Sequence, residues 1–145
     1  MITAIIQARM GSTRLPGKIL KKVNNKELLL YQIERIKKSK QIKKIVVATT
    51  SNENDLTIIN FCKKNKITFF VGSENDVMDR YYKCALKFKA SIIVRLTSDC
   101  PKCEPDIIDK TVNLFLSINN IDYSSNTVPP ETSFYPDGSD VEVFS

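Results

Sequence analysis

Residues 4–18 of the chain read AIIQARMGSTRLPGK, and this stretch decides the predicted fold. Its apolar start is typical of a buried strand, and the spacing of apolar residues after Lys26 is typical of a helix. The stretch therefore predicts a loop that leaves the carboxyl end of a strand and leads towards a helix. α/β proteins bind their ligands at such loops.

The loop combines two glycines with three cations. Gly11 and Gly17 allow backbone N–H groups to come close to an anion, because glycine has no Cβ in the way. The cationic side chains can neutralise several negative charges, as the binding of a triphosphate requires. They belong to Arg9, Arg14 and Lys18. A solvated basic loop without a ligand is the alternative interpretation.

The loop differs from the P-loop of many nucleotide-binding proteins. Five residues separate Gly11 from Gly17, which breaks the G-x-x-x-x-G-K-[ST] spacing. Ile19 also follows Lys18 where that pattern has Ser or Thr. We therefore expect a different backbone arrangement around the same kind of anion.

Apolar runs alternate with helical patterns along the chain. Strands are predicted at Thr3–Ala8, Lys44–Thr50, Ile67–Val71, Ser91–Thr97, Ile121–Ser125 and Val141–Phe144. Helices are predicted at about Lys26–Lys38, Asn54–Asn65, Asp76–Lys89 and Pro105–Ser117. Because this alternation produces crossover connections, the sequence predicts an α/β fold, a three-layer αβα sandwich around a Rossmann-like, mostly parallel sheet.

The carboxyl ends of these strands define where a ligand should bind. The opening loop should meet three other segments there, Thr49–Glu53, Gly72–Arg80 and Thr97–Pro105. Asp99 follows a buried strand, so its carboxylate should lie at the same edge as the basic loop. It could bind a magnesium ion shared with a phosphate, or form a plain ion pair with a cation of the loop.

Composition limits the classes of protein that fit. The chain has 145 residues, 42% of them hydrophobic, which suits one domain. Its net charge is +6, but 17 of the 22 cations are lysines spread over predicted helix faces, so nucleic acid is not an expected partner. No apolar run approaches the ~20 residues of a membrane span, and we expect a cytoplasmic protein without a membrane partner. The final strand has no cap or turn after it, and we expect a truncated chain.

The four cysteines are expected to be free thiols in a cytoplasmic protein. Cys100 and Cys103 have the C-x-x-C spacing of a zinc half-site or a redox pair. A structural zinc needs a full tetrahedral set of ligands, however, and the chain has no histidine. Cys62 and Cys84 lie singly in predicted helices. A metal or redox role is therefore the weaker interpretation.

Four segments together resemble a known family. They are IIQARMGSTRLPGK (5–18), GSENDVMDRYY (72–82), RLTSDCP (95–101) and YPDGSDVEVF (135–144). They resemble the spore coat polysaccharide biosynthesis protein F family, in the cytidylyltransferase branch of the nucleotide-diphospho-sugar transferases. The acylneuraminate and 3-deoxy-manno-octulosonate cytidylyltransferases are similar to that family. The resemblance covers essentially the whole chain, and its first segment is the most specific.

The resemblance implies nucleotidyl transfer in the synthesis of surface polysaccharide or glycan precursors. A hydroxyl of a sugar or sugar acid would attack the α-phosphate of a nucleoside triphosphate, usually CTP, and pyrophosphate would leave. The implied catalytic residues are Arg9, Lys18 and Asp99, with Asp99 as the ligand of Mg²⁺. The implied nucleotide-binding residues are Gln7, Ala8, Arg9, Gly11, Ser12, Arg14, Lys18, Arg80, Thr97 and Ser98. The absence of histidine fits this scheme, because a metal can lower the pKa of an attacking hydroxyl.

The resemblance also implies a longer protein. Relatives continue for roughly another hundred residues, so this chain would be the N-terminal part of a longer domain. That further part carries a second acidic metal site, much of the acceptor pocket and a segment that forms homodimers. Asp137, Asp140 and Glu142 could supply a further carboxylate, or could form a salt-bridged or solvated face. Cys103 stands where relatives commonly have an apolar residue, which affects packing.

Two other functions stay open at this point. A glycosyltransferase that uses a nucleotide sugar can have the same fold, although it usually carries an Asp-x-Asp motif. This chain has Thr97-Ser98-Asp99 at that place. A nucleotide-binding module without turnover would also keep the opening loop.

Overall fold

The computed structural model describes residues 1–11, 15–127, 135 and 138–145. Its strands are β1 (Ile2–Gln7), β2 (Lys22–Val23), β3 (Lys26–Glu27), β4 (Lys44–Thr50), β5 (Phe69–Gly72), β6 (Ile92–Thr97), β7 (Tyr123–Ser125) and β8 (Glu142–Phe144). Its helices are α1 (Leu28–Ile36), α2 (Leu56–Lys64), α3 (Val77–Phe88) and α4 (Pro105–Ser117). Short 3-10 turns lie at Lys18–Leu20 and Glu53–Asp55.

Within these described residues, a central sheet of six strands has the order β5-β4-β1-β6-β8-β7. The strands β5, β4, β1 and β6 are parallel, because a helix connects each strand to the next along the chain. β8 runs antiparallel to β6, and β7 runs antiparallel to β8. The sheet is therefore mostly parallel, as the sequence predicted.

The side chains of β1 alternate between two hydrophobic layers. Ala4 and Ile6 pack with apolar residues of α1, α2 and α4 on one face of the sheet. Ile5 packs with Tyr81 and Cys84 of α3 on the other face. The fold is therefore the predicted αβα sandwich. Among the helices that the structure describes, none is long and apolar enough to cross a bilayer.

The first helix begins later than the prediction of Lys26. Residues 22–27 form an antiparallel hairpin, and at its tip Asn24 and Asn25 have φ values of 49° and 62°. Both central residues of a type I′ hairpin turn need this left-handed conformation, which asparagine tolerates better than most residues. The Asn-Asn pair therefore closes a hairpin, and α1 starts at Leu28.

Two predicted strands also begin too early. β5 starts at Phe69 because Lys66, with φ of 53°, still belongs to the turn after α2. β7 starts at Tyr123 because Asn120, with φ of 60°, reverses the chain after α4. In each case a non-glycine residue adopts the left-handed conformation, which the apolar pattern does not reveal.

Candidate functional site

The two central strands carry the candidate site at their carboxyl ends. Gln7 at the end of β1 is the register partner of Thr97 at the end of β6. The contact continues past the strand ends, because the Ser98 N–H donates to the Gln7 carbonyl at 3.1 Å. The loop after β1 and the turn after β6 therefore leave the sheet side by side.

A cleft of about 300 Å³ opens where the loop and the turn meet. Its lining residues are Gln7, Arg9, Gly11, Lys18, Ile19, Arg95, Thr97, Ser98 and Asp99. All of these except Ile19 and Arg95 are residues that the sequence pointed to as catalytic or nucleotide-binding. Arg95 was missed because it lies inside a strand pattern, where alternation alone predicts an outward-facing side chain.

Lys18 and Asp99 face each other across the cleft. Lys18 Nζ donates to Asp99 Oδ2 at 3.5 Å, and both side chains stay accessible, at 38% and 51% exposure. Burial alone raises the pKa of Asp99, but a hydrogen bond from Thr97 and the charge of Lys18 outweigh burial and lower the pKa below its ordinary value. The cleft at neutral pH therefore contains an ionised carboxylate beside a cation.

Residues 9–18 are called the phosphate loop after their predicted ligand, and a backbone hydrogen bond joins two of its described residues, Met10 and Gly17. The Gly17 N–H donates to the Met10 carbonyl at 3.1 Å, and Gly17 has φ of 68°. Glycine adopts this conformation without strain, which allows the chain to turn directly into the 3-10 turn that begins at Lys18. Arg9 and Lys18 are thereby brought to the same end of the cleft.

The turn after β6 is held in place by α1. Gln32 Nε2 donates to the Thr97 carbonyl at 2.7 Å, and Arg35 Nε donates to the Cys103 carbonyl at 3.0 Å. Gln32 is fully buried on the apolar face of α1. A single polar residue within a helical apolar stripe is a weak sequence signal, and for this reason Gln32 was not predicted to support the site.

Arg80 lies in the protein core instead of the cleft lining. It is 0% exposed, and its Nη1 donates to the Ser73 carbonyl. Nε and Nη2 have no hydrogen-bond partner among the residues that the structure describes. Burial lowers the pKa of Arg80, and the positive charge of Arg9 lowers it further. The charge of Arg9 in the phosphate loop therefore acts on Arg80. The Nε and Nη2 atoms of Arg80 are available to donate further hydrogen bonds.

The other predicted residues occupy different places. Ala8 is buried and does not line the cleft. Its N–H donates to the Ala48 carbonyl at 3.0 Å, which joins the backbone after β1 to β4. Glu142 forms an ion pair with Arg95, in agreement with the salt-bridged interpretation of that strand. Asp140 is exposed. The predictions for Ser12, Arg14 and Asp137 lie outside the described residues.

Among the described residues that line the cleft, Asp99 supplies the single carboxylate available to a metal. In the part of the chain that is described, no group of three or more His, Cys, Asp or Glu residues is arranged to hold a metal ion. Mg²⁺ in phosphate-binding sites is usually held by one or two carboxylates together with phosphate oxygens and water. Asp99 therefore fits an ion shared with a bound phosphate, and it does not form a metal site by itself.

The C-x-x-C pair lies in the turn directly after Asp99. Cys100 and Cys103 are free and buried, as are Cys62 and Cys84. Burial raises the pKa of Cys103 to about 12 and also raises the pKa of Cys100. A thiol of this kind is protonated at neutral pH, which makes it a poor nucleophile and a poor metal ligand.

A second groove shares Arg95 with the cleft. It has a volume of about 550 Å³, and its walls are mainly apolar and aromatic. Its lining residues are Val77, Met78, Tyr81, Arg95, Tyr123, Glu142 and Phe144. Arg95 contributes to both cavities, so the Arg95–Glu142 ion pair separates them.

Comparison with known proteins identifies the family. The cytidylyltransferase family model matches residues 3–134. The spore coat polysaccharide biosynthesis protein SpsF of Bacillus subtilis is 41% identical over 112 residues, which are 74% of this chain and 47% of that protein. The 3-deoxy-manno-octulosonate cytidylyltransferase of Geobacter sulfurreducens is 32% identical over 111 residues, 77% of this chain and 44% of that enzyme.

A solved structure agrees with these sequence matches. A cytidylyltransferase from Leptospira borgpetersenii superposes with a TM-score of 0.90 at 39% identity, covering 99% of this chain and 60% of that one. The chain belongs to the cytidylyltransferase family, and both the predicted fold and the family resemblance are confirmed. It spans about half the length of the curated relatives that it matches.

Proposed function

We propose that the protein is a cytidylyltransferase that joins the cytidylyl group of CTP to a hydroxyl of a sugar or sugar acid and releases pyrophosphate. The observation that carries this proposal is the cleft lined by Arg9 and Lys18 of the phosphate loop, in which Lys18 pairs with Asp99 of the turn after β6. Membership of the cytidylyltransferase family supports CTP as the nucleotide. The proposed acceptor is a sugar or sugar acid because one relative is a 3-deoxy-manno-octulosonate cytidylyltransferase.

The cations of the phosphate loop bind and orient the triphosphate. Arg9 and Lys18 neutralise its charge, and their charge-assisted hydrogen bonds stabilise the leaving pyrophosphate. Catalysis of this kind consists mostly of positioning and electrostatics, because the protein forms no covalent bond with the phosphate. Gly11 leaves open space next to the loop backbone. Gln7, Thr97 and Ser98 line the floor of the cleft, where amide, hydroxyl and backbone groups are available to the base.

Asp99 would hold the Mg²⁺ that we propose as cofactor. The ion, when bound, supplies positive charge to the phosphates and lowers the pKa of the attacking hydroxyl. Lys18 would exchange its contact with Asp99 for contacts with phosphate oxygens. The Lys18–Asp99 pair therefore keeps both side chains at the cleft, each neutralising the other, in the protein without nucleotide.

Pyrophosphate release tests this proposal directly. The purified protein is incubated with Mg²⁺, with CTP, UTP, ATP or GTP, and with a panel of sugar acids that includes 3-deoxy-manno-octulosonate. We expect release that needs both CTP and one acceptor. Binding of CTP without release for any acceptor would instead indicate a nucleotide-binding module. Release of a free nucleotide from a nucleotide sugar would indicate a glycosyltransferase.

The setting of the enzyme is part of the same proposal. We place it in the cytoplasm, which supplies CTP and keeps thiols reduced, in agreement with four free and buried cysteines. A role in surface polysaccharide precursor synthesis follows the similarity to SpsF. We further propose that the chain is one nucleotide-binding domain belonging to a longer protein, since it spans about half the length of its relatives. The homodimer implied by the family resemblance stays a prediction.

A further inference from the structure

Asp55 is a buried carboxylate beneath the phosphate loop. It ends the 3-10 turn Glu53–Asp55 directly before α2, and it is 3% exposed. Its Oδ1 accepts a hydrogen bond from the backbone N–H of Met10 at 2.7 Å, and its Oδ2 accepts one from Thr50 Oγ1 at 2.5 Å. Burying a carboxylate is costly unless hydrogen bonds replace its water, and these two bonds do so.

The backbone of Met10 makes two hydrogen bonds near the start of the phosphate loop, one of which closes the loop. Its N–H donates to Asp55, and its carbonyl accepts from the Gly17 N–H at 3.1 Å. Arg9 directly precedes Met10, and Lys18 directly follows Gly17. A group that fixes the backbone of Met10 therefore also fixes the backbone that carries Arg9 and Lys18.

The surroundings of Asp55 are rich in positive charge. The charge of Arg9 lowers the pKa of the buried Arg80, whereas the charge of Asp55 acts on Arg80 in the opposite sense. Two guanidinium groups near each other in a poorly solvated region repel, and a carboxylate between the loop and the core offsets part of that repulsion.

We propose that Asp55 is a positioning residue for the bound triphosphate, acting through the Met10 N–H to present Arg9 and Lys18 to the phosphates. The carboxylate also compensates the charges of Arg9 and Arg80 while no anion is bound. This inference rests on the proposed function, because it takes a polyphosphate as the ligand of the loop. Asp55 is outside the cleft lining, so it acts through the backbone and not by contact with the substrate.

Two variants of Asp55 separate the hydrogen bond from the charge. Asp55→Ala removes both, whereas Asp55→Asn keeps a side-chain oxygen that can accept from Met10 and removes the charge. We would measure the Kd of Mg²⁺–tripolyphosphate and of Mg²⁺–CTP by calorimetry. Hydrogen bonds to charged groups are worth enough for the Kd to rise about tenfold to a hundredfold in Asp55→Ala. Asp55→Asn keeps the acceptor for Met10 and removes a negative charge that competes with the phosphates, so its Kd should stay within about threefold of that of the unsubstituted protein.

Two control variants distinguish positioning from a general loss of stability. Glu53→Gln removes an exposed negative charge from the same 3-10 turn. Thr50→Val removes the other hydrogen bond of Asp55 and leaves the contact with Met10 in place. Thr50→Val should lower the thermal midpoint, because it leaves a buried carboxylate oxygen without its donor. Both controls should bind tripolyphosphate within about twofold of the unsubstituted protein, since both leave the hydrogen bond from the Met10 N–H to Asp55 in place.

Amide hydrogen exchange supplies a readout that does not depend on activity. The Met10 amide should be protected in the unsubstituted protein and in Thr50→Val, and should exchange faster in Asp55→Ala, while the amides of α3 stay unchanged. Equal tripolyphosphate affinity and equal Met10 protection in Asp55→Ala and Thr50→Val would overturn the inference. If Asp55→Ala does not fold, Asp55→Ser takes its place, because the shorter serine side chain removes the carboxylate oxygen that accepts from Met10. An unchanged Kd together with unchanged Met10 protection in Asp55→Ser then overturns the inference.

The outcomes also separate this inference from the proposed function. Loss of tripolyphosphate affinity in Asp55→Ala, without CTP turnover by the unsubstituted protein, would support the positioning role and refute the cytidylyltransferase activity. No binding of tripolyphosphate by the unsubstituted protein would overturn the inference itself.

Discussion

Lys18 and Asp99 are 81 positions apart in the sequence, and their side chains form an ion pair at 3.5 Å across the candidate site. The pair joins the end of the phosphate loop to the turn after β6. Both residues are partly solvent-accessible, so the contact itself adds little to stability. The ion pair instead holds a cation and a carboxylate on the two walls of one cleft.

Reversal of the charge at position 18 should weaken nucleotide binding. Lys18→Glu replaces an attractive contact with the triphosphate by repulsion, and we expect the Kd of Mg²⁺–CTP to rise about a hundredfold. Calorimetry on the purified protein measures this. Lys21→Glu is the matched control, because Lys21 is exposed and only three positions further along. Equal affinities in both variants would assign Lys18 to a solvated basic loop.

Asp99→Asn should abolish turnover that depends on Mg²⁺. The amide keeps the size of the side chain but removes the charge that would hold the ion, and we expect the rate of pyrophosphate release to fall about a hundredfold or more. Asp122→Asn, at an exposed position before β7, serves as control. Full activity of Asp99→Asn at limiting Mg²⁺ would exclude Asp99 as the metal ligand.

The contribution of Asp109 to stability should depend on pH. Burial raises the pKa of Asp109, but hydrogen bonds from Ser39 Oγ and from the backbone N–H groups of Lys40 and Gln41 outweigh burial and lower the pKa below 3.8. A lowered pKa in the folded state means that the stabilisation is present above pH 3.8 and is lost as the pH falls through the folded pKa.

Denaturant unfolding of Asp109→Asn tests this dependence. At pH 7 the free energy of unfolding should fall by about 1 kcal/mol, because a neutral amide accepts these hydrogen bonds less strongly. The difference from the unsubstituted protein should shrink as the pH falls below 4. A difference that stays constant down to pH 2 would contradict the assignment.

Substitution by alanine should have different effects on stability at Gly72 and at Gly11. A Cβ at Gly72 would lie 2.7 Å from Phe70 Cε1 and 2.9 Å from Arg80 Cγ, so Gly72→Ala should destabilise the protein by about 1–3 kcal/mol. A Cβ at Gly11 would meet no atom of the described residues within 4 Å. Gly11→Ala should therefore leave the thermal midpoint unchanged or slightly higher. A clear loss of stability in Gly11→Ala, or none in Gly72→Ala, would refute this assignment of the two positions.

Much of the fold could be predicted from sequence because the strands and most helices carry regular apolar periods. The continuous apolar run of β1 and the helical period of α3 each match the buried residues that the structure shows. The hairpin at Asn24 and Asn25 could not be predicted in this way, since two left-handed residues replaced the first turn of the expected helix. Neither does the apolar pattern of β8 give its direction, because direction depends on the path of the preceding loop.

The parts of the candidate site that could be predicted are those that lie in sequence motifs. Arg9, Lys18 and Asp99 follow strands that end at one edge, and parallel topology brings such residues together. Asp55 and Gln32 leave no such motif, because each acts on a backbone group distant in sequence. Their roles depend on which peptide lies opposite, and only the folded arrangement determines that.

The register of β1 against β6 also determines how the protein tolerates changes in chain length. Gln7 and Thr97 are paired, so one interstrand spacing, about 4.8 Å, sets the distance between the two backbones at the floor of the cleft. Residues inserted at the tip of the hairpin, at Asn24 and Asn25, would make the hairpin longer and leave this distance unchanged. A single deletion inside β1 would instead turn every following side chain of the strand to the opposite face. Insertions in the peripheral hairpin should therefore leave the floor of the cleft at the same width.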